Sequence, residues 1–140
     1  MPVTDTFTSS GFTLTASGYA GTPISTSTTP LYYKADGAGE TGLGIASDGD
    51  HEINPLTFIQ ISTLTSPLSQ LSSLVFGSVQ NGENALVYGS ITSGGFNVVD
   101  LLGTITSDGS LVITAADLGK YTYLDVTAGS GNVVLGAVTA

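Results

Sequence analysis

The sequence predicts an all-β chain folded as an antiparallel two-sheet β-sandwich of jelly-roll type. Three observations predict it. Apolar and polar residues alternate with period two along most of the chain, which is the signature of half-buried strands. Twenty threonines stand against two lysines and no arginine, and threonine packs well on a pleated, half-solvated face. Gly, Asn and Asp punctuate the apolar runs at roughly 8–12 residue intervals, the spacing of a sandwich or barrel. With about nine candidate strands expected on that spacing, a two-sheet jelly roll is preferred to a closed barrel.

Taken in order, Phe12, Leu14 and Ala16 alternate with Thr13, Thr15 and Ser17 as a half-buried strand. Leu31-Tyr32-Tyr33-Lys34 follows a Pro- and Thr-rich connector, and residues 56–62 read as a strand buried on both faces. Residues 74–79, 85–90 and 96–102 come next. Residues 104–106 and 110–114 flank Ser107-Asp108-Gly109, expected to be a hairpin loop because Asp-Gly tolerates positive φ. Residues 121–127 and 132–138 flank Ala128-Gly129-Ser130-Gly131, a second expected hairpin. Helix signals are scarce: Thr114-Ala115-Ala116-Asp117 can cap a single turn and residues 67–73 another.

One hundred and forty residues make one domain, 1–140, with 41% hydrophobic residues to fill a core. Residues 1–10, rich in Thr and Ser, form an N-terminal arm expected to be flexible or to exchange as a strand with a neighbour's open sheet edge. The edges themselves carry few lysines to guard them, which favours self-association. A net charge of −9 without arginine excludes nucleic acid and anionic membrane surfaces, because no basic patch displaces counterions from phosphates. No apolar run reaches the roughly 18 residues that span a bilayer. The absence of cysteine removes disulfides and thiolate metal sites. Met1-Pro2-Val3-Thr4-Asp5 has neither the basic nor the apolar part of a signal peptide. The scarcity of Lys, Arg and Cys nevertheless suits an exported protein, so the expectation is a secreted domain whose leader has been removed.

The densest chemistry lies in residues 36–53, which hold five of the eleven acids and the only histidine. Asp36, Glu40, Asp48, Asp50 and Glu52 are candidate ligands for calcium, which takes six to eight oxygens from carboxylates and carbonyls on a glycine-rich loop. The spacing is not that of an EF-hand. Equally, these acids can simply solvate a loop. His51 and Glu52, adjacent on an extended chain, would point to opposite faces, so the histidine is expected to be hydrogen-bonded at a strand start and not to share a site with the glutamate. Tyr121, Tyr123 and Asp125 alternate on one strand face, as a sugar-binding platform would require, although tyrosines that merely pack between strands are commoner. Carboxylate pairs such as Glu40 with Glu52, or Glu52 with Glu83, have the residue types of a glycosidase. Without Trp, Arg or a Gly-x-Ser-x-Gly elbow, the expectation is a non-catalytic protein.

Several blocks carry a resemblance. Residues 40–46 (Glu-Thr-Gly-Leu-Gly-Ile-Ala), Asp50-His51-Glu52-Ile53, Phe58-Ile59-Gln60-Ile61, residues 76–83, Val87-Tyr88-Gly89-Ser90, residues 121–128 and residues 131–135 resemble secreted bacterial proteins of the PEP-CTERM, exosortase-sorted, group. The resemblance runs from about Tyr32 to Ala140. It implies export and association with exopolysaccharide and biofilm, as an extracellular matrix or cell-surface structural or adhesive protein; the alternative is a module that binds exopolysaccharide. The Pro-Glu-Pro sorting tag of that group does not occur in this chain.

Overall fold

The computed structural model describes residues 2–9, 12–20, 27–35, 37, 40–63, 71–94 and 100–139. Among them are twelve strands and one helical turn: β1 (Thr4–Ser9), β2 (Phe12–Ala20), β3 (Ser27–Thr28), β4 (Leu31–Ala35), β5 (Thr41–Ile45), β6 (Thr57–Thr63), β7 (Ser73–Gly77), β8 (Asn84–Ser90), β9 (Leu101–Ile105), β10 (Gly109–Val112), α1 (Ala115–Leu118), β11 (Tyr123–Ser130) and β12 (Val134–Thr139). Every pairing is antiparallel. One sheet runs β1-β2-β6-β11-β8-β9, with β3 also on β2, and the other runs β10-β7-β12-β5-β4.

The last eight strands have jelly-roll connectivity. In sequence they visit the sheets so that β5 meets β12, β6 meets β11, and β8 meets β9, while β7 lies beside β10. This is one long antiparallel ribbon, turned back at β8–β9 and wrapped into two sheets. β4 widens one sheet, and β1 to β3 widen the other. The expected sandwich is therefore present, with more strands than the alternation alone suggested.

Two expected hairpins are corrected by this topology. β9 and β10, on either side of Ser107-Asp108-Gly109, belong to different sheets, and so do β11 and β12 around residues 128–131. Both turns are crossovers. Turn chemistry identifies where a chain reverses, but not whether the next strand pairs with the last or crosses the core. The helical turn at residues 114–117 appears as expected: the Asp117 N–H donates to Thr114 Oγ1 at 3.2 Å, and buried Leu118 anchors the turn. The other expected turn, at 67–73, lies mostly outside the described residues, and Ser73 already opens β7. Of the expected strand at 96–102, residues 96–99 likewise lie outside them, and Leu101 opens β9.

Residues 4–9 of the N-terminal arm form β1 in this chain's own sheet, paired along β2. Gly18 and Leu31 N–H groups tie Val3 and Pro2 at 2.8 and 2.9 Å. β5 lies inside the glycine-rich acidic stretch, where Gly42 and Gly44 hide the alternation. A Cβ on Gly42 would sit 2.5 Å from the Leu135 carbonyl oxygen, and one on Gly44 would overlap the His51 carbonyl. The glycines let neighbouring backbones close on the strand.

Between the sheets lie Leu31, Ile45, Ile59, Ile61, Leu74, Phe76, Val87, Leu124 and Val126, all buried. β6 is buried on both faces, as the sequence implied: Ile59 and Ile61 enter the main core, while Phe58 joins Tyr19, Tyr88 and Leu86 in a second cluster on the sheet's outer face. Tyr19 stacks on Phe58 with ring centroids 5.0 Å apart.

Candidate functional site

Jelly-roll pairing gathers the β5–β6, β7–β8, β9–β10 and β11–β12 connections, and the acids of these connections bind them to one another. Asp48, in the β5–β6 connection, is buried. Its Oδ1 accepts from Asn54 Nδ2 at 2.6 Å and its Oδ2 from the backbone N–H of Asp50 at 2.9 Å and of Glu52 at 3.1 Å. Asn132 Nδ2, from the β11–β12 connection, lies 3.0 and 2.9 Å from the two oxygens. Glu83 accepts from the Asn132 N–H at 2.9 Å and from the Gln80 N–H at 3.0 Å. Asp108 Oδ1 accepts from the Val79 N–H at 2.8 Å, joining β9–β10 to β7–β8. Crossing connections expose backbone N–H groups that no strand satisfies, and a carboxylate is the strongest acceptor available to them.

Beside Asp48 lies a second cluster. Lys34 of β4 is buried and contacts the carboxylate of buried Glu52, with Glu40 Oε1 3.3 Å from its Nζ. Ser78 Oγ donates to Glu52 Oε2 at 3.0 Å. Burial works against the Lys34 ammonium, but Glu52 and Glu40 outweigh it and hold its pKa above the usual value. Burial raises the pKa of Glu52 despite Lys34 and Ser78. Asp48 behaves oppositely: burial would raise it, but Asn54, the Glu52 and Asp50 amides and Asn132 together lower it. His51 and Ser78, the two non-glycine residues of positive φ among the described residues (both 58°), flank Glu52 in sequence and in space. The His51 ring stacks on Tyr32, with centroids 4.0 Å apart. It occupies a left-handed turn, where a strand start was expected.

Of the five acids considered for calcium, Asp36 lies outside the described residues. Glu40 and Glu52 converge on Lys34, Asp48 is surrounded by N–H donors, and Asp50 is exposed. Among the described residues, no three His, Asp or Glu side chains form a group able to hold a metal ion. Each Asp48 oxygen already has at least two N–H donors within hydrogen-bond distance, so its lone pairs are engaged.

The three residues considered for sugar are also separated. Tyr121 precedes β11 and packs on the main core, its ring lying over Gly89. Tyr123 is half-buried on the outer face, and Asp125 is 0% exposed. Asp125 Oδ1 accepts from Gln60 Nε2 at 2.8 Å, and its buried Oδ2 has no hydrogen-bond partner among the described residues. Gln60 is held in turn by the connection after β8: Nε2 donates to the Thr92 carbonyl at 3.1 Å, and Oε1 accepts from the Gly94 N–H at 2.9 Å. Burial, only partly offset by Gln60, pushes Asp125 up to about 7. Sequence alternation put Asp125 on one strand face with Tyr121 and Tyr123 but could not reveal the cover above it.

An apolar groove of about 240 Å³ also opens between the sheets, lined by Phe7, Leu14, Leu43, Ile61, Leu135 and Val138 among others, with Tyr33 at its side. Among the described residues, no charged side chain lines it.

Comparison of the chain with protein-family models, curated proteins and solved structures finds no match.

Proposed function

We propose that this chain is a non-catalytic structural or adhesive module of an extracellular matrix or cell surface, and that it associates with itself by adding strand to strand at its sheet edges. The observation that carries this reading is the β9/β10 side. Among the described residues, β9 ends one sheet and β10 ends the other. Their sequences, LLGTI and GSLV, contain no charge and no proline, the usual guards of an edge. Leu101 is 49% exposed and Val112 74% exposed. β1, at the opposite end of the larger sheet, is better guarded because half-buried Asp5 shares a face with Phe7.

Composition and the resemblance described above support export and a matrix setting. The acidic chain adds a condition: copies carrying −9 repel one another, so association should strengthen with salt as that repulsion is screened. Light scattering over a range of concentrations and ionic strengths tests the reading. Leu101→Lys with Val112→Lys should keep the melting midpoint and lose the association. A wild-type protein that stays monomeric at high concentration and high salt would overturn it.

A further inference from the structure

We propose that Lys34 and Glu52 are condensed into an intramolecular isopeptide bond, with Glu40 carrying the proton. The two reacting groups are already in contact, and their side chains are only 6% and 4% exposed. A second carboxylate, Glu40, touches the same nitrogen and is 34% exposed, so it reaches both the reacting pair and solvent. Ser78, held at positive φ, sets its hydroxyl beside both acids, 3.0 Å from Glu52 Oε2 and close enough to Glu40 to lower its pKa. Backbone strain of this kind persists only where surrounding structure imposes it, and here it positions a donor on the carboxyl to be attacked.

Burial favours the neutral product, against the hold that Glu52 and Glu40 keep on the Lys34 proton. A buried ion pair bears the desolvation cost of two charges, whereas an amide bears none. Holding amine and acid in contact also replaces a bimolecular encounter by an intramolecular one, worth effective molarities of roughly 10⁵ M or more.

The step balances without a co-reactant. A proton passes from the Lys34 ammonium to the Glu52 carboxylate, leaving a neutral amine and a neutral acid. The Nζ lone pair attacks Cδ, and the Ser78 hydroxyl stabilises the developing oxyanion. Glu40 takes one Nζ proton and returns it to the departing hydroxyl, which leaves as water. An ammonium and a carboxylate thus become one amide N–H and one water. The bond would lock the terminal strand β4 to the β5–β6 connection in a chain without cysteine.

Intact mass of the full-length folded protein, measured after denaturation, tests this. The expected mass is lighter than the sequence by one water, and fragmentation should map the loss to a Lys34–Glu52 link. An Asp-Gly succinimide, for which Asp36, Asp48 and Asp108 are placed, loses a water too. It is distinguished because hydroxylamine cleaves it and Lys34→Arg leaves it unchanged. Lys34→Arg should restore the full mass, and Glu40→Gln should slow appearance of the lighter species after refolding. A wild-type mass equal to the sequence, or a water loss that survives Lys34→Arg, overturns the proposal.

Discussion

Asp125→Asn should stabilise the protein at neutral and alkaline pH and remove much of its pH dependence there. The carboxyl is fully buried and, among the described residues, has one donor, Gln60, with Oδ2 unpartnered. Its pKa rises from 3.8 to about 7 on folding. The folded state therefore keeps this proton to higher pH than the unfolded chain does. Stability contributed by this group is complete below the unfolded value, falls as pH rises from about 4 to about 7, and is then level. About three pKa units at 1.36 kcal/mol each make the loss about 4 kcal/mol. An asparagine carries no charge at any pH but leaves an amide N–H in place of Oδ2, a cost of about 1–3 kcal/mol. The variant should thus gain about 1–3 kcal/mol at pH 8 and be weaker than wild type near pH 4. The difference between the two proteins should swing by about 4 kcal/mol across that range. Urea unfolding of both proteins at matched pH values reads this directly. Parallel pH profiles would refute the reasoning, because Asp125 would then ionise as easily folded as unfolded.

Other expectations follow from the same contacts. Gly44→Ala should destabilise by about 2–3 kcal/mol in thermal or urea melts, since its Cβ meets the His51 backbone rather than a movable side chain; Gly49→Ala, with open space around it, is the neutral control. Asp48→Asn should cost about 2–4 kcal/mol at pH 7, because backbone N–H donors in the β5–β6 connection and the Asn132 amide lose their charged acceptor. Its lowered pKa makes its stabilisation present above the unfolded value of 3.8 and lost as pH falls through the folded value, so this variant should flatten the acid limb of the unfolding profile. With the oxygens of Asp48 committed to N–H donors, chelator and calcium should leave the melting midpoint of the wild type unchanged; a calcium-dependent rise abolished by Asp48→Asn would show that cation binding displaces those donors.

Fold class was legible because alternation is a local property: Leu14 and Ala16 against Thr13 and Thr15, or the doubly apolar run at Phe58–Ile61, report burial without any knowledge of partners. Sheet membership was not legible. Asp108-Gly109 and Gly129-Ser130-Gly131 mark reversals equally well in a hairpin and in a crossover, and only the long-range pairing of β5 with β12 and β6 with β11 decides between them. β5 escaped notice because the close approach of other backbones requires glycine where alternation would place side chains. At the candidate site, composition singled out the acids of residues 36–53, and the fold shows what most of the described ones contact. The acids cluster because several of the connections joining the two sheets meet and need acceptors, and because one buried lysine takes two of them. Asn54, Asn132 and Ser78, which complete those contacts, carried no signal in the sequence, since their partners lie up to 84 positions away. The burial of Asp125 depends on Gln60 and the connection after β8, which period-two patterning does not see.

Edge association is tested most directly by amide hydrogen exchange, followed in dilute, low-salt protein and in concentrated, high-salt protein. Exchange should slow on association in β9 and β10, at Leu101–Ile105 and Gly109–Val112, and stay unchanged in the central strands β6 and β11. Protection that appears elsewhere while these two strands exchange as before, or exchange identical under both conditions, would contradict it.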